Sequence, residues 1–248
     1  MPPPQFRLRP GSVSDLNHAV RLYDACLGSD KLIELLFPGK REQDPVAFRT
    51  HLYRLYAKRF WSVEWMFTFV VREAAGEQEH EVVGFSCWKK PAGEIGFVER
   101  WLSIFAWVAP IVRNFIALQT KLFPTVDLYP ATAFDRCFPP IEEALFADKK
   151  PKEWWYLSTL AVHPSYQGHG LGGLLMNEGL DMADAYQQKQ QQKKKKKGED
   201  EEVRRGKVWL IGLRGTDRFY TRFAFNEVGR ANVGELSEWD GGIVMFRE

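Results

Sequence analysis

The feature that most constrains the fold is a glycine-rich segment, GHGLGG, at residues 168–173. An apolar segment at residues 153–162 precedes it and predicts a strand, and leucines at helical spacing follow it over residues 170–186. Glycines in such a strand-to-helix turn let the backbone approach a ligand closely, and the first amides of the helix favour a phosphate. The alternative is a tight packing turn without a ligand. The glycines alone do not decide between the two.

The spacing of these glycines also matches the dinucleotide-binding fingerprint G-x-G-x-x-G. That fingerprint requires an acidic residue at the end of the next strand, about 20 residues further on. Here the next predicted strand spans residues 207–213 and has no acid at its end. Only 75 residues follow Gly173, too few for the remaining strand–helix units. A P-loop is excluded as well, because no Gly-Lys-Ser/Thr follows the glycines.

Periodicity along the rest of the chain predicts an α/β protein. Alternating apolar segments predict strands, helical spacing predicts helices, and a short polar link between the second and third strands predicts an antiparallel hairpin. The predicted strands are residues 6–10, 65–73, 81–90, 153–162, 207–213 and 243–248, and the main helices begin after Ser12, at Pro45 and at Gly170, with short ones at residues 141–146 and 217–223.

Composition narrows the class of protein. The 248 residues carry a formal net charge of only +2, which argues against a nucleic-acid partner. Three separated cysteines suit a reducing compartment, and the first ten residues have no apolar core typical of an export signal. We therefore expect an intracellular, cytoplasmic protein. No group of His, Cys, Asp and Glu has metal-ligand spacing, so we expect no metal.

Two segments interrupt this ordinary pattern. Residues 101–123 are rich in Trp, Phe and Ile, but their uncharged part covers only residues 101–112, too short for a membrane span of about 20 residues. We interpret them as a buried or pocket-lining helix, with peripheral membrane contact as the alternative. The Gln/Lys-rich run and the acidic residues after it predict a mobile loop at about residues 187–206, whose alternative is a nuclear-import or acidic-partner patch.

The residues flanking the glycines resemble a known family. LAVHPSYQGHGLGGLL, residues 160–175, closely resembles motif A of the GCN5-related N-acetyltransferase (GNAT) superfamily, whose signature Arg/Gln-x-x-Gly-x-Gly/Ala is met by Gln167, Gly170 and Gly172. RFYTRFAF, residues 218–225, resembles the family's Tyr-x-x-x-Gly-Phe segment, with Ala224 in place of the usual Gly. The resemblance implies a single domain over residues 1–248. It implies a mixed, mostly antiparallel sheet flanked by helices, with two strands splayed apart at an acyl-CoA site.

The resemblance also implies the ligand and its residues. Acetyl-CoA is expected as cosubstrate, with its pantetheine arm along the strand before the turn and its diphosphate on the turn's backbone amides. The residues implied for this binding are Leu160, Ala161, Val162, Gln167, Gly168, His169, Gly170, Leu171, Gly172 and Gly173. By the same resemblance, Tyr220 is the catalytic acid that protonates the leaving thiolate, and the alternative is that Tyr220 only packs.

The general base is not identified by this resemblance. Many family members carry a Glu where this chain has Tyr156. Other candidates are Ser158, which shares strand parity with Tyr156 and Leu160, and the acids Glu153, Glu99, Asp127 and Asp135. His163 and His169 lie in the turn and are interpreted as solvent-facing and non-catalytic.

The insert at about residues 91–150 bears on the acceptor. Its length and aromatic content suggest a cap over the acceptor pocket, similar to enlarged fungal small-molecule acetyltransferases, and the alternative is extra core packing. We therefore expect an acetyl-CoA-dependent N-acetyltransferase for a small-molecule amine. The alternatives are acetylation of a protein N-terminus or lysine, and a catalytically degenerate acyl-CoA-binding module. The sequence gives no indication of the oligomeric state.

Overall fold

The computed structural model of the chain describes residues 5–73, 81–147, 149, 151–195 and 205–248. Seven strands lie among these residues: β1 (Gln5–Pro10), β2 (Trp65–Glu73), β3 (Glu81–Lys89), β4 (Trp155–Val162), β5 (Val208–Gly212), β6 (Asn226–Arg230) and β7 (Ile243–Arg247). They form one sheet in the order β1-β2-β3-β4-β5-β7-β6. Every neighbouring pair is antiparallel except β4 and β5, which are parallel. The predicted α/β class with a mostly antiparallel sheet is confirmed.

Helices cover the sheet on both faces. The α-helices within the described residues are α1 (Leu16–Leu27), α2 (Lys31–Leu36), α3 (Lys40–Gln43), α4 (Pro45–Phe60), α5 (Ile104–Leu122), α6 (Leu128–Ala131), α7 (Ala133–Cys137), α8 (Pro139–Leu145), α9 (Leu171–Lys195) and α10 (Asp217–Thr221). Helices α1 and α4 pack against one face with residues such as Phe48 and Tyr56, and α9 packs against the other with Leu175 and Met176. The apolar residues of β4 and β5 thus lie between two helical layers.

The parallel strands β4 and β5 pair over only three residues. Trp155, Tyr156 and Leu157 are in register with Val208, Trp209 and Leu210, and beyond them the two strands no longer pair. On its other edge, β4 stays paired with β3 as far as Val162. The second half of β4 therefore has an open edge facing the end of β5, which is the predicted splay.

A β-bulge lies where the splay begins. Cys87 of β3 is opposite Thr159, but the next residue, Trp88, is opposite Leu157, so Ser158 is the extra residue. The bulge puts Leu157 and Leu160 on the same side of the sheet, both packed in the cluster beneath α9. The prediction that Tyr156, Ser158 and Leu160 share parity is therefore wrong, because a bulge shifts the alternation by one residue.

The sequence-based boundaries hold for most of the predicted elements, but the short helices α2, α3, α6 and α7 were not predicted, and two further differences concern β6 and α9. Strand β6 was not predicted, since NEVGR has only one large apolar residue and pairs only at the sheet edge. Helix α9 runs to Lys195, so the first part of the loop predicted at residues 187–206 is helical. Residues 196–204 of that loop lie outside the described residues.

The turn from β1 into α1 is held by a buried carboxylate. Asp15 accepts hydrogen bonds from Arg9 at 2.7 and 2.6 Å and from the Ser12 amide at 2.8 Å, so Ser12 and Asp15 form a capping box. Burial would raise the pKa of Asp15, but the hydrogen bonds from Arg9 and Ser12 outweigh it and lower the pKa to about 2. Asp15 therefore stabilises the fold above its ordinary pKa, and this stabilisation is lost as the pH falls from about 4 to about 2.

We expect Asp15→Asn to lower the free energy of unfolding by about 2 kcal/mol at pH 7 and to have little effect at pH 2. Urea unfolding of both proteins across this pH range measures the difference. The control is Asp240→Asn, which removes an exposed ion pair with Arg214 and should cost no more than about 0.5 kcal/mol at any pH. A pH-independent effect of Asp15→Asn would contradict this interpretation.

Candidate active site

Two cavities meet where β4 and β5 separate. The first, which we call the glycine-loop cavity, has a volume of about 480 Å³ and lies between the start of α9 and helix α10. The second, the aromatic cavity, has a volume of about 290 Å³ and lies between β4 and the helices α1, α2 and α4. Leu160, Thr216 and Tyr220 line both cavities. The arrangement can hold two ligands whose ends meet at Tyr220.

The glycine turn has the geometry of an anion-binding loop. Gly168 and Gly170 have φ angles of +81° and +79°, and a Cβ atom at either would enter open space. Leu174 is the first residue of α9 whose amide donates a main-chain hydrogen bond. Its acceptor is the carbonyl of Gly170, at 3.0 Å. The amides of residues 168–173 have no hydrogen-bond acceptor among the described residues. They are free to bind a diphosphate at the positive end of a 25-residue helix.

Eight of the ten residues predicted for cofactor binding line the glycine-loop cavity. They are Leu160, Val162, Gln167, Gly168, Gly170, Leu171, Gly172 and Gly173. Gln167 also fixes the turn, because its Nε2 donates to the Val162 carbonyl at 3.0 Å.

The other two predicted binding residues do not line the cavity. Ala161 is 2% exposed and packs with α1 and α4 on the far side of the sheet. His169 is exposed, and its Nδ1 lies 3.2 and 3.1 Å from the carbonyls of Tyr166 and Gln167. The side chain of Ala161 thus faces the opposite side of the sheet and that of His169 faces solvent, so only their backbone groups could contact the cofactor, and their predicted binding roles stay predictions.

The sequence analysis missed four residues of this cavity. Tyr166, Thr216, Phe219 and Arg222 line it together with the glycines. Phe219 lies 3.4 Å from the position of a Cβ on Gly172, so this glycine allows α9 to approach α10. The sequence signal for all four was their position within three residues of a predicted site residue or turn.

Tyr220 lies at the junction of the two cavities. Its backbone is held within α10, and its ring makes edge contacts with Phe219 at 5.1 Å and Phe225 at 6.0 Å between centroids. Its hydroxyl has no hydrogen-bond partner among the described residues. Burial raises the pKa of Tyr220 above that of a free phenol, so the hydroxyl is protonated at neutral pH. A protonated, unpartnered hydroxyl at this junction can donate to a ligand atom.

Ala224, which replaces the usual family glycine, adopts a left-handed conformation with a φ angle of +63°. Such a conformation is strained for any residue with a Cβ. We expect Ala224→Gly to raise the free energy of unfolding by about 0.5–1 kcal/mol, measured by urea unfolding. The control, Ala185→Gly, has the opposite expected effect. Because Ala185 is exposed within α9, this change should lower the free energy of unfolding by about 1 kcal/mol. Destabilisation by both changes would show that Ala224 is not strained.

The aromatic cavity contains one half-buried cation, Arg59, without an ion-pair partner among the described residues. Arg59 lies over the Trp65 ring at 4.6 Å and the Tyr56 ring at 5.6 Å. No carboxylate of the described residues lies within ion-pair distance of its guanidinium. Burial tends to lower the pKa of Arg59, but the neighbouring Cys87 and tyrosines raise it, so it is charged at all ordinary pH values. Arg59 therefore offers a positive charge to a ligand in the cavity, whose lining also includes the carboxylates of Asp30 and Asp135.

His51 is a second titratable residue of the aromatic cavity that the sequence analysis missed. Its Nδ1 is buried and has no partner among the described residues. Burial and the nearby Arg54 and Lys58 lower its pKa, so the imidazole is neutral at pH 7 and can accept a proton. Nothing in its sequence surroundings distinguishes it from a helix-surface histidine.

Most of the acids considered as general bases are engaged elsewhere. Glu99 pairs with Lys90 at 2.6 Å, and Asp127 accepts from the Tyr129 amide at the start of α6. Asp135 is exposed but lines the aromatic cavity. Glu153 lies in the turn before β4 and is not a lining residue of either cavity.

Tyr156 and Ser158 both line the aromatic cavity. Tyr156 stacks on Trp209 with a centroid distance of 4.1 Å, and burial raises its pKa, so it is not a base at neutral pH. His163 is held in the turn, where its Nδ1 accepts from the Ser165 amide at 3.3 Å. His51, Asp135 and Ser158 are thus the polar side chains near the acceptor side that can take up a proton directly or through water.

Comparison with known proteins agrees with this geometry. Residues 136–190 match the model of the Acetyltransferase (GNAT) family. A solved structure from Corynebacterium glutamicum, described as histone acetyltransferase HPA2 and related acetyltransferase, is 18% identical with a TM-score of 0.55, and the match covers 98% of this chain and 95% of that one. A second structure, described as an acetyltransferase, is 17% identical with a TM-score of 0.50 over 98% of both chains. No curated protein sequence matches significantly.

Residues 136–190 thus match the GNAT family model and the chain has the fold of GNAT acetyltransferase structures, which supports the resemblance of residues 160–175. A coenzyme A thioester is the ligand that this superfamily implies, and the free amides of residues 168–173 fit its diphosphate. Within the described residues, no group of three or more His, Cys, Asp or Glu side chains could hold a metal ion.

Proposed function

We propose that the protein transfers an acetyl group from acetyl-CoA to the amine of a small molecule by direct transfer in a ternary complex. The observation that carries this proposal is the meeting of the two cavities at Tyr220. The glycine-loop cavity accommodates the diphosphate and pantetheine arm, and the open edge of β4 offers backbone groups to that arm. The aromatic cavity then receives the acceptor on the far side of Tyr220, so that amine and thioester carbon meet at the junction.

In this proposal Tyr220 donates its proton to the departing thiolate. Its raised pKa keeps the hydroxyl protonated at neutral pH, so it can donate a hydrogen bond to the thiolate that develops beside it and supply the proton as the thiol leaves. The neutral imidazole of His51, or Asp135 and Ser158 through water, takes the proton that the acceptor amine loses. The protein orients the two substrates and provides the groups that transfer protons, and coenzyme A supplies the activated acyl group.

The aromatic cavity favours a small acceptor over a protein tail. Its volume of about 290 Å³ suits a small organic molecule, and it is lined by rings including Tyr23, Phe37, Phe134 and Trp239. Ala131 and Phe134 come from the insert at residues 91–150, which supports its proposed role as a partial cap. A protein lysine or N-terminus would be better served by an open acidic groove, whereas this cavity combines aromatic rings with the guanidinium of Arg59.

The experiment is a thiol-release assay with acetyl-CoA and a panel of amines and basic peptides. Thiol release with small amines at a rate well above that with peptides supports the proposal. Release with peptides alone would support protein acetylation instead. Tight acetyl-CoA binding with no thiol release for any acceptor would support a catalytically degenerate binding module. Calorimetry with NADH serves as the control for a dinucleotide site and should show no binding.

Because Arg59 has no counter-ion, we expect acceptors that carry a carboxylate to bind better than those without one. Arg59→Gln should raise the KM of phenylalanine by at least about tenfold and leave that of phenethylamine within about twofold. The matched control is Lys58→Gln, which removes an exposed charge from the preceding position of α4 and lines neither cavity. An equal effect of Arg59→Gln on both acceptors would show that Arg59 only supports the fold.

A further inference from the structure

Helix α5 and the π-helical turn before it, Val98–Leu102, expose an apolar surface to solvent. Ile104 is 83% exposed, Trp107 71% and Ile111 70%, whereas only Ala109 and Ile116 of this helix are buried. The exposed apolar residues, which we call the outer stripe, are Phe97, Val98, Trp101, Leu102, Ile104, Trp107, Val108, Ile111, Phe115, Leu118, Leu122 and Phe123. From Ile104 onward they recur every three or four residues, so they form one continuous face of the helix.

The prediction of a buried or pocket-lining helix at residues 101–123 is therefore wrong. The segment is apolar on two faces, and only the inner face packs on the protein. That inner face is made of smaller residues and of Phe105, which stacks on Trp61 at 5.4 Å with an interplanar angle of 8°. None of the residues of α5 lines the aromatic cavity. The larger side chains, which carry most of the apolar surface, point away from the domain.

The helix is firmly attached at both ends of its inner face. Besides the Phe105–Trp61 stack, Arg54 of α4 donates to the Phe123 carbonyl at 2.7 Å. The Ser103 hydroxyl accepts from the Ala106 amide at 3.1 Å and so begins the helix at a defined residue. A helix fixed in this way holds the outer stripe in place as a surface feature of the folded protein.

The cations of the segment that carries the outer stripe have no acidic partner. Arg100, Arg113 and Lys121 are exposed, and none of them forms an ion pair with a carboxylate of the described residues. Residues 100–126 contain no Asp or Glu. The acids just before them, Glu94 and Glu99, are paired with Lys189 at 3.8 Å and Lys90 at 2.6 Å. Asp127, the next acid along the chain, accepts from the Tyr129 amide. The three cations are thus left without a carboxylate partner by the described residues.

We propose that the outer stripe docks onto the surface of an anionic lipid bilayer, with α5 lying in the plane of the interface. Trp and Phe on one face with unpaired Arg and Lys beside it are the features of interfacial helices. Within the described residues no helix is long and apolar enough to cross a membrane, so contact through α5 is peripheral. A second copy of the chain fits this surface less well, because it would bring the same unpaired cations together. The proposal does not depend on the acetyltransfer reaction.

The test is co-sedimentation of the full chain with vesicles at low and high salt. We expect binding to vesicles of 70% phosphatidylcholine and 30% phosphatidylserine that is at least about tenfold tighter than to phosphatidylcholine alone, and weaker at high salt. Ile111→Glu with Leu118→Glu should reduce binding at least about tenfold. Arg113→Glu with Lys121→Glu should abolish the preference for phosphatidylserine. The control is Val46→Glu, which changes an equally exposed apolar residue on α4 and should leave binding unchanged.

Two results would overturn the proposal. The first is a monomeric wild-type chain that does not bind the phosphatidylserine vesicles at low salt. The second is self-association of the wild type, measured by sedimentation, that Ile111→Glu with Leu118→Glu converts to a monomer, because the stripe would then be covered by a second copy. Unfolding midpoints of all variants establish that they are folded, and substitutions at these exposed positions should leave the midpoints unchanged.

Discussion

Replacing Gly170 by Val is expected to weaken coenzyme A binding by at least about 100-fold, or about 2.7 kcal/mol. The physical reason is direct, because a Cβ at Gly170 enters the open space onto which the free amides of residues 168–173 face. A β-branched side chain there would occupy the diphosphate position and would be strained at a φ angle of +79°. Isothermal titration calorimetry with coenzyme A measures the effect.

Gly215 provides the matched control for this substitution. It has nearly the same φ angle, +76°, and its Cβ would likewise meet open space, but it lines neither cavity. Gly215→Val therefore carries the same backbone strain without filling the site and should retain binding within a few-fold. Equal losses from the two substitutions would mean that strain, and not occupation of the site, explains the result.

Tyr220→Phe is expected to lower kcat for acetyl transfer by about 100-fold or more while leaving the KM for acetyl-CoA within about threefold. Removing the hydroxyl takes away the proton donor but keeps the ring and its contacts with Phe219 and Phe225, so binding is preserved and the chemical step is slowed. Steady-state kinetics with an acceptor identified by the panel measure both constants.

The pH profile separates this role from a packing role. Because burial raises the pKa of Tyr220, wild-type kcat should not fall through loss of this proton until the pH exceeds the phenol's ordinary value near 10. If wild-type kcat falls at alkaline pH because Tyr220 loses its proton, that fall should be absent in Tyr220→Phe. The control is Tyr186→Phe, which removes the hydroxyl of a buried tyrosine that lines neither cavity. If Tyr220→Phe retains wild-type kcat, its hydroxyl only packs.

The sequence predicted the architecture of the site because certain backbone conformations require particular residue types at particular positions. Glycines are needed where φ is positive, and Gly168 and Gly170 have that conformation. Strand periodicity located β4 and β5, and the splay between them was implied by the family resemblance, whereas their parallel pairing was not predicted. The bulge at Ser158 could not be predicted in this way, since an extra residue in a strand does not alter the composition of the strand.

The acceptor side was harder to predict because it is assembled from distant segments. Arg59, His51 and Phe134 come from α4 and α7 and meet only in the folded protein. Arg59 is followed by an aromatic residue and preceded by Lys58, a pattern equally typical of a solvent-facing helix. The outer stripe was misjudged for a related reason, because apolar residues predict burial only when another surface covers them.

The central claim is that the free amides of residues 168–173 and the junction at Tyr220 hold coenzyme A, and a crystal structure of the protein with coenzyme A tests it most directly. We predict the diphosphate within hydrogen-bond distance of those amides, the arm along the open edge of β4, and the sulfur beside the Tyr220 hydroxyl. Coenzyme A bound elsewhere, or a saturated crystal in which the glycine-loop cavity holds none, would contradict the account.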